Sequence, residues 1–196
     1  LLGDCPIVDK DAVLRAFRSL KDHALVVGGV KLYTKNDYGK VKFENGKVLS
    51  IDDSKSSSNV SEFSNAGWFV CDGCYLHTFL EKIPKINGEY YLTQCVEIAN
   101  SLGFSVGMEE CSEYCSINTQ DDYRMALDKL QERFHETALQ NGAVLIDRKS
   151  TFLSYDTVIS EDVVIYPHVM CEGKVVFNKR VHVKPFSYIK NSVIGE

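Results

Sequence analysis

The sequence lacks both an excess of positive charge and any long apolar run. Its 196 residues include 22 Lys and Arg against 27 Asp and Glu, which gives a formal net charge of −5. An acidic chain of this kind is poorly suited to bind the phosphates of a nucleic acid. No stretch approaches the roughly 18 apolar residues that a membrane-spanning helix requires. We therefore expect no nucleic-acid partner and no membrane span.

The cysteines lack the regular pattern of a disulfide-stabilised secreted domain. There are seven of them, an odd number at irregular spacing, which favours the reduced thiols of a cytoplasmic protein. Cys71 and Cys74, followed by Cys111 and Cys115, have a spacing that could bind zinc. The first pair, however, follows a predicted strand, where buried thiols are common. Zinc is therefore the weaker interpretation.

A glycine-rich loop that could cradle a triphosphate is also missing, because the Gly28-Gly29 pair falls inside a predicted strand. What the first two thirds of the chain do contain is an alternation of strand and helix patterns. Apolar runs predict strands at 24–33, 64–71 and 104–109, and helical spacing predicts helices at 11–22, 73–83 and 92–102. Residues 38–51 predict a hairpin that turns at Asn45-Gly46, and the Ser-rich stretch 52–62 predicts an exposed loop. These patterns predict an α/β fold.

A longer helix is predicted from about residue 120 to residue 140. Its apolar residues recur at intervals of three and four, at Tyr123, Leu127, Leu130, Phe134 and Ala138. Asn118 or Thr119 suits the N-cap, and Asn141-Gly142 suits the end of the helix.

The final third changes to a six-residue period. From Ile159 it divides into ISEDVV, IYPHVM, CEGKVV, FNKRVH, VKPFSY and IKNSVI. The first and fifth positions of these hexads are mostly apolar, which fits neither an ordinary strand nor a helix. One apolar anchor in each hexad is typical of a parallel β-helix.

The opening residues LLGDCP predict the end of a buried strand, with Asp4 at its carboxyl end, where ligands of open α/β sheets usually bind. The residues alone leave a simpler interpretation open. Asp4 could be only a turn residue, and Asn118 only a helix cap.

Several motifs together resemble one bacterial family. In order, LLGDCP, DYGKV, NGKVLSIDD, SNAGWF, NGEYYLTQ, SIN and the hexads look like part of the N-acetylglucosamine-1-phosphate uridyltransferase/glucosamine-1-phosphate acetyltransferase family. The resemblance covers essentially the whole chain, and GEYYLT and the hexads are its most specific parts. It implies a partial, Rossmann-like nucleotidyltransferase domain with a mixed sheet at 1–118 and a linking helix at 119–142. Residues 143–196 would then begin a left-handed parallel β-helix.

The family joins UTP and N-acetylglucosamine 1-phosphate to give UDP-N-acetylglucosamine, a cell-wall precursor, and pyrophosphate. The resemblance implies these substrates, Mg²⁺ as cofactor, and a homotrimer assembled through the β-helix. Asp4 and Asn118 match the metal ligands, and no covalent catalytic residue is implied. The residues that match substrate-binding positions are Leu2, Gly3, Asp4, Gly39, Asp53, Asn65, Glu89, Tyr91, Thr93 and Asn118.

The chain departs from the family pattern at three positions. Leu2 replaces a tyrosine, Asp53 replaces a glutamate and is one methylene shorter, and Gln94 replaces an aspartate. The family's phosphate loop precedes the GDxP motif and its acetyl-CoA site lies in later coils, so we expect these residues alone to be inactive. Two alternatives are a non-catalytic trimerising scaffold and a nucleotidyltransferase for another sugar 1-phosphate. GEYYLT favours the N-acetyl sugar.

Overall fold

The computed structural model describes residues 2–31, 38–53 and 62–195. The chain forms two compact units, Leu1–Asp122 and Tyr123–Glu196. Most of the predicted loop at 52–62 lies outside the described residues, as does the end of the strand predicted at 24–33. None of the helices in the described ranges is long and apolar enough to cross a membrane.

The first unit contains seven strands and three helices among its described residues. The strands are β1 Leu25–Val30, β2 Lys40–Glu44, β3 Lys47–Asp52, β4 Phe63–Cys71, β5 Lys85–Ile86, β6 Glu89–Tyr90 and β7 Val106–Glu110. The helices are α1 Lys10–Ser19, α2 Gly73–Glu81 and α3 Gln94–Ser101. Five strands form one sheet in the order β3-β2-β4-β1-β7, in which β1 is parallel to β7 and antiparallel to β4. The predicted mixed sheet is therefore confirmed.

Strand β1 is buried along its whole length because helices cover both faces of the sheet. Leu25 and Val27 belong to a core that includes residues of α2 and α3. Val26 and Val30 belong to a second core, shared with α1. Apolar residues at successive positions are expected of a central strand that is covered on both sides.

Two tight hairpins carry the sequence Asn-Gly. Asn45 and Gly46 have φ values of 51° and 79°, and the predicted turn between β2 and β3 is confirmed. Asn87 and Gly88, with φ values of 51° and 91°, join β5 to β6 in the same way. Positive φ at both central residues is the requirement of a type I′ turn. The second hairpin was not predicted, because its strands are only two residues long.

The second unit begins with most of helix α4, Gln120–Gln140, whose bounds match the prediction. The predicted apolar face of this helix is partly wrong. Tyr123 and Leu127 are exposed, whereas Ala126, His135 and Ala138 are buried. The buried His135 has a polar partner inside this unit, since its Nε2 lies 2.9 Å from the carbonyl oxygen of Thr151.

The rest of this unit is a parallel β-helix of short strands. They are β8 Val144–Leu145, β9 Thr151–Phe152, β10 Val158–Ile159, β11 Val164–Ile165, β12 Val169–Glu172, β13 Val176–Phe177, β14 His182–Val183, β15 Tyr188–Lys190 and β16 Val193–Ile194. They form three three-stranded parallel sheets. Val158 pairs with Val176, eighteen residues further on, so three hexads make one coil. The buried residues of this unit follow a six-residue period through Val183: Ile159, Val163, Ile165, Val169, Cys171, Val175, Phe177, Val181 and Val183.

The last hexad does not keep this register. Val176 pairs with Val193, only seventeen residues further on, and Phe177 pairs with Ile194. Val193 is therefore 70% exposed, although its hexad position predicts an inward side chain. The connection between β15 and β16 is therefore one residue shorter than the corresponding connection between β12 and β13. In this connection Asn191 has a φ of 45°, and its side-chain oxygen accepts a hydrogen bond from the Lys174 amide.

Candidate functional site

The two predicted metal ligands meet at one buried hydroxyl. Ser116 is only 5% exposed, and its Oγ donates a hydrogen bond of 3.2 Å to Asp4 Oδ2. Asn118 Nδ2 donates to the same Oγ, also at 3.2 Å. Asp4 and Asn118 themselves are exposed. The structure thus brings together two side chains that are far apart in sequence and leaves both accessible to a ligand.

Asn118 does not cap helix α4. The cap is Thr119, whose Oγ1 accepts a hydrogen bond of 3.2 Å from the Asp122 amide. Asp122 Oδ2 in turn accepts hydrogen bonds from the backbone amides of Asn118 and Thr119, at 3.1 and 2.8 Å. This reciprocal arrangement fixes the start of the helix. The amide side chain of Asn118 is thereby left to contact Ser116.

The strand predicted at the first residues is not found among the described ones. Gly3 and Asp4 instead form a turn, closed by a 3.3 Å hydrogen bond from the Cys5 amide to the Leu2 carbonyl. The Leu2 amide donates to the carbonyl of Gly67 on β4 at 2.8 Å. One backbone contact to a strand is too little to form a ladder. The turn is also held from its other side, since the Ile117 amide donates to the Asp4 carbonyl at 2.8 Å.

Gly67 lies at an irregularity of β4, where the register with β1 shifts. Its φ is 74°, and a Cβ there would lie 2.4 Å from Cys5 Sγ, so the turn packs directly against the glycine. The buried side chain of Asn65 stabilises the irregularity, because its Oδ1 accepts a 3.0 Å hydrogen bond from the Gly67 amide. Nδ2 is then the end of Asn65 that can donate to a ligand.

A second group of predicted residues surrounds Asp53, the residue after β3. Thr93 Oγ1 donates a hydrogen bond of 2.5 Å to Asp53 Oδ2. A Cβ on Gly39 would lie 2.3 Å from Asp53 Oδ1, so only glycine leaves room for the carboxylate. The Gly39 carbonyl accepts a 2.8 Å hydrogen bond from the Asn65 amide, which joins this group to β4.

Thr93 occupies the N-cap position of α3, yet its side chain makes no capping hydrogen bond. Threonine at this position normally stabilises a helix by accepting from a backbone amide. Here the buried Thr93 hydroxyl instead donates its hydrogen bond to the Asp53 carboxylate. Partial burial raises the pKa of Asp53, and the nearby charge of Asp52 adds to this, while the Thr93 hydrogen bond acts in the opposite direction.

Glu89 and Tyr91 lie at the end of the second hairpin. Tyr91 donates from its phenol to Glu89 Oε2 at 2.9 Å, and this hydrogen bond raises the pKa of Tyr91. The charge of Asp53 contributes to the same rise, which indicates that the pair lies near the Asp53 group. Gln94 begins α3 directly after Thr93.

The donor set at Asp4 and Asn118 fits a hard divalent cation. A carboxylate and an amide supply the oxygen ligands that Mg²⁺ prefers, and Mg²⁺ usually takes only one or two ligands from the protein. Within the described residues, no group of three or more His, Cys, Asp or Glu side chains could hold a metal ion. Burial also raises the pKa of the Cys71 thiol to about 11 and that of the Cys111 thiol to about 12.

Ser116 and Tyr114 were not predicted as site residues. The Tyr114 phenol hydrogen-bonds to Ser116, and burial raises its pKa. Nothing in the local pattern distinguishes Ser116 from other serines of this loop, because its importance depends on a partner near the start of the chain. Its position two residues before Asn118 is the only available signal.

Comparison with known proteins gives relatives along the whole chain. The bifunctional protein GlmU of Paramagnetospirillum magneticum is 30% identical over 204 residues, which covers 99% of this chain and 45% of that protein. GlmU of Wolbachia pipientis wMel is 32% identical over 198 residues, covering 98% and 46%. The chain therefore spans about half the length of the curated relatives it matches. No family model matches it.

Among solved structures, a Bacillus anthracis protein assigned as a glucose-1-phosphate thymidylyltransferase matches with a TM-score of 0.51 and 18% identity. The match covers 64% of this chain and 51% of the other. This likeness supports the nucleotidyltransferase fold class. The sequence matches confirm the family resemblance: the chain is related along its whole length to a segment of the bifunctional GlmU proteins.

Proposed function

We propose that this chain provides the sugar-binding and metal-binding half of a nucleotidyltransferase site. The reaction would join UTP and N-acetylglucosamine 1-phosphate to give UDP-N-acetylglucosamine and pyrophosphate. The similarity to GlmU and to a sugar-phosphate nucleotidyltransferase supports nucleotidyl transfer to a sugar phosphate. The choice of uridine and of the N-acetyl sugar rests on the sequence motifs.

The observation that carries the proposal is the convergence of Asp4 and Asn118 on Ser116. Asp4 lies in a turn and Asn118 precedes a helix, but neither local position by itself requires a shared buried partner. Two exposed side chains that carry oxygen atoms and hydrogen-bond to one buried hydroxyl are instead suited to be the protein ligands of a magnesium ion.

Contacts lead from this pair to the proposed sugar site. Cys5 follows Asp4 and packs against Gly67, whose amide is held by Asn65. The Asn65 backbone bonds to Gly39, which lies against Asp53. Carboxylate, amide and backbone groups of this kind are the donors and acceptors that a hydroxyl-rich sugar needs.

In the proposed reaction, a phosphate oxygen of the sugar phosphate forms a bond to the α-phosphorus of UTP. The bond from that phosphorus to the leaving pyrophosphate breaks. Such transfers depend mainly on positioning and on neutralisation of charge. Asn65, Asp53 and Thr93 would position the sugar, and Asp4 and Asn118 would hold Mg²⁺. The bound cation would supply charge neutralisation at the phosphates.

The test is a calorimetric titration with UDP-N-acetylglucosamine, UDP-glucose and ADP-glucose, each with and without Mg²⁺. The proposal predicts saturable binding that favours UDP-N-acetylglucosamine and requires the metal. A preference for either glucose nucleotide would support a nucleotidyltransferase for another sugar. The absence of saturable binding to any of the three would favour the non-catalytic scaffold.

A separate observation supports assembly of several copies. On the outer face of one β-helix sheet, Phe152, Met170 and Tyr188 lie in register on three successive coils. They are 45%, 49% and 58% exposed, so a continuous apolar strip faces solvent. Contiguous exposed apolar surface of this kind marks protein contacts. We propose that this strip contributes to a symmetric homotrimer.

A further inference from the structure

The arrangement of protons around Ser116 determines which end of Asn118 a cation can reach. A serine hydroxyl has one hydrogen to donate and two lone pairs that accept. The ionised carboxylate of Asp4 can only accept, so it takes the single proton of Ser116, at 3.2 Å. Any other group that hydrogen-bonds to Ser116 Oγ must therefore be a donor.

Asn118 meets this requirement with its nitrogen. Nδ2 lies 3.2 Å from Ser116 Oγ and donates to it. If the amide were rotated by half a turn, Oδ1 would face the lone pairs of Oγ, and no hydrogen bond could form. The network thus turns Oδ1, the only atom of this side chain that can ligate a cation, away from the buried serine.

We propose that Ser116 is a positioning residue of the metal site, because its hydroxyl orients Asn118 so that Oδ1 is presented beside the Asp4 carboxylate. This inference rests on the proposed function, since it requires a divalent cation at Asp4 and Asn118. Ser116 is suited to the role by burial at 5% exposure and by backbone hydrogen bonds of the two residues that follow it. The Ile117 amide donates to the Asp4 carbonyl, and the Asn118 amide donates to Asp122.

Ser116→Ala removes the proton donated to Asp4 and the acceptor that orients Asn118. The loss of an outer-shell partner typically weakens metal binding by about 10- to 100-fold. We expect the Kd for Mn²⁺, used as a spectroscopic probe, to rise by about tenfold. The measurement is the electron paramagnetic resonance signal of free Mn²⁺ in the full chain, in the presence of UDP-N-acetylglucosamine.

Ser112→Ala is the matched control. Ser112 lies on the same loop, and its hydroxyl likewise donates to a carboxylate, Asp9 Oδ2, at 2.6 Å. Its backbone amide donates to the same Asp9 oxygen at 2.9 Å, so its hydrogen bonds are directed to Asp9 and away from Asp4 and Asn118. Its removal should leave the Kd for Mn²⁺ unchanged, so a tenfold rise in Ser116→Ala alone supports the proposal.

Repeating Ser116→Ala in the Asn118→Asp variant distinguishes orientation of the residue 118 side chain by Ser116 from a general structural role of Ser116. In Asn118→Asp both ends of the side chain are oxygen, so its rotation no longer matters. Ser116→Ala should then change the Kd for Mn²⁺ by less than about threefold relative to Asn118→Asp alone, a difference that a double-mutant cycle resolves. An equal loss in both backgrounds would overturn the proposal. Circular dichroism checks that each variant is folded, and Ser116→Cys, which fills the same space with a weaker hydrogen-bonding group, replaces Ser116→Ala if that variant does not fold.

The outcomes also separate this inference from the proposed function. If the wild-type chain and Asp4→Ala take up Mn²⁺ equally, the metal site itself is wrong, and this inference fails with it. If Asp4→Ala loses Mn²⁺ binding but Ser116→Ala retains it fully, the metal site stands and only the positioning role of Ser116 is overturned.

Discussion

Asp4 and Asn118, near opposite ends of the sequence of the first unit, share the hydroxyl of Ser116 at 3.2 Å each. Asp4 lies in a turn instead of ending a strand, and Thr119 takes the capping role that was open to Asn118. Their common partner gives the pair a relationship that a turn and a cap do not explain.

We predict that Asp4→Ala and Asn118→Ala each weaken Mg²⁺-dependent binding of UDP-N-acetylglucosamine by about tenfold or more, because each removes one oxygen ligand of the cation. Isothermal titration with Mg²⁺, and again with a chelator, measures the metal-dependent part of the affinity. Asp22→Ala is the control, since this exposed carboxylate lies 3.8 Å from the Lys21 ammonium and is not one of the proposed site residues. Unchanged metal dependence in both site variants would rule out the metal assignment.

The affinity for UDP-N-acetylglucosamine should depend on the ionisation of Asp53. The ionised carboxylate accepts hydrogen bonds from a sugar at both oxygens, whereas protonation turns one oxygen into a donor and weakens the acceptors. Partial burial raises the pKa of Asp53. We therefore expect full affinity at neutral pH and a loss of affinity as the pH falls through this raised pKa. Titrations from about pH 8 to about pH 4 would follow the loss.

Two variants test the assignment of this pH dependence. Thr93→Val removes the hydrogen bond that favours ionised Asp53, so the loss of affinity should begin at a higher pH. Asp53→Asn cannot ionise and should lack this pH dependence altogether. If Asp53→Asn shows the same profile as the wild-type chain, a different group is responsible.

Sequence periodicity predicted most of the regular elements, because their burial follows local pattern. Strand β1 and helix α4 are examples: the first is apolar at every position, and the second has clear signals at both ends. The contacts of the site depend on residues distant in sequence. Ser116 could not be identified without knowledge that its loop approaches Asp4. Thr93 donates its hydroxyl proton to Asp53, although the local sequence predicts that it caps α3.

The second unit offers a test of stability. Gln131 on α4 bonds to both backbone groups of Leu153, donating to the carbonyl at 2.8 Å and accepting from the amide at 2.9 Å. Gln131→Ala leaves both groups of this buried residue without their side-chain partner. We expect a loss of about 1–3 kcal/mol in the free energy of unfolding. Denaturant titration measures it.

The control for that experiment is Gln140→Ala, an exposed position at the end of the same helix. Its effect should stay within about 0.5 kcal/mol. Equal effects of the two substitutions would show that the Gln131 hydrogen bonds contribute nothing specific.

If copies of the chain assemble through the apolar strip of Phe152, Met170 and Tyr188, a charge in the strip should change the oligomeric state. Met170→Glu places a charge at the centre of the strip while the side chain is already half exposed, so the chain should remain folded and become monomeric. Sedimentation velocity of the variant and the wild-type chain measures this. His182→Glu introduces the same charge on the β14 sheet and should leave the assembly intact. A wild-type chain that is already monomeric would contradict the proposal.

The register of the last coil shows a limit of pattern analysis. IKNSVI satisfies the hexad pattern as well as its neighbours do, yet Val193 points outward, because the corner at Asn191 is one residue shorter. The register of this coil depends on the hydrogen bond from the Lys174 amide to the Asn191 side chain on the next coil. A pattern of six consecutive residues does not include both partners.

The most direct test of the account is to locate bound Mn²⁺ in the complex with UDP-N-acetylglucosamine, by paramagnetic broadening in ¹H–¹⁵N spectra of the full chain. We predict that the amide signals of Gly3–Cys5 and Ser116–Thr119 disappear first, because Asp4 and Asn118 are the proposed ligands of the cation. Signals from Gly39, Asp53 and Asn65 should shift on addition of the sugar nucleotide. Broadening centred on any other part of the chain, with these two segments unaffected, would contradict the proposed site.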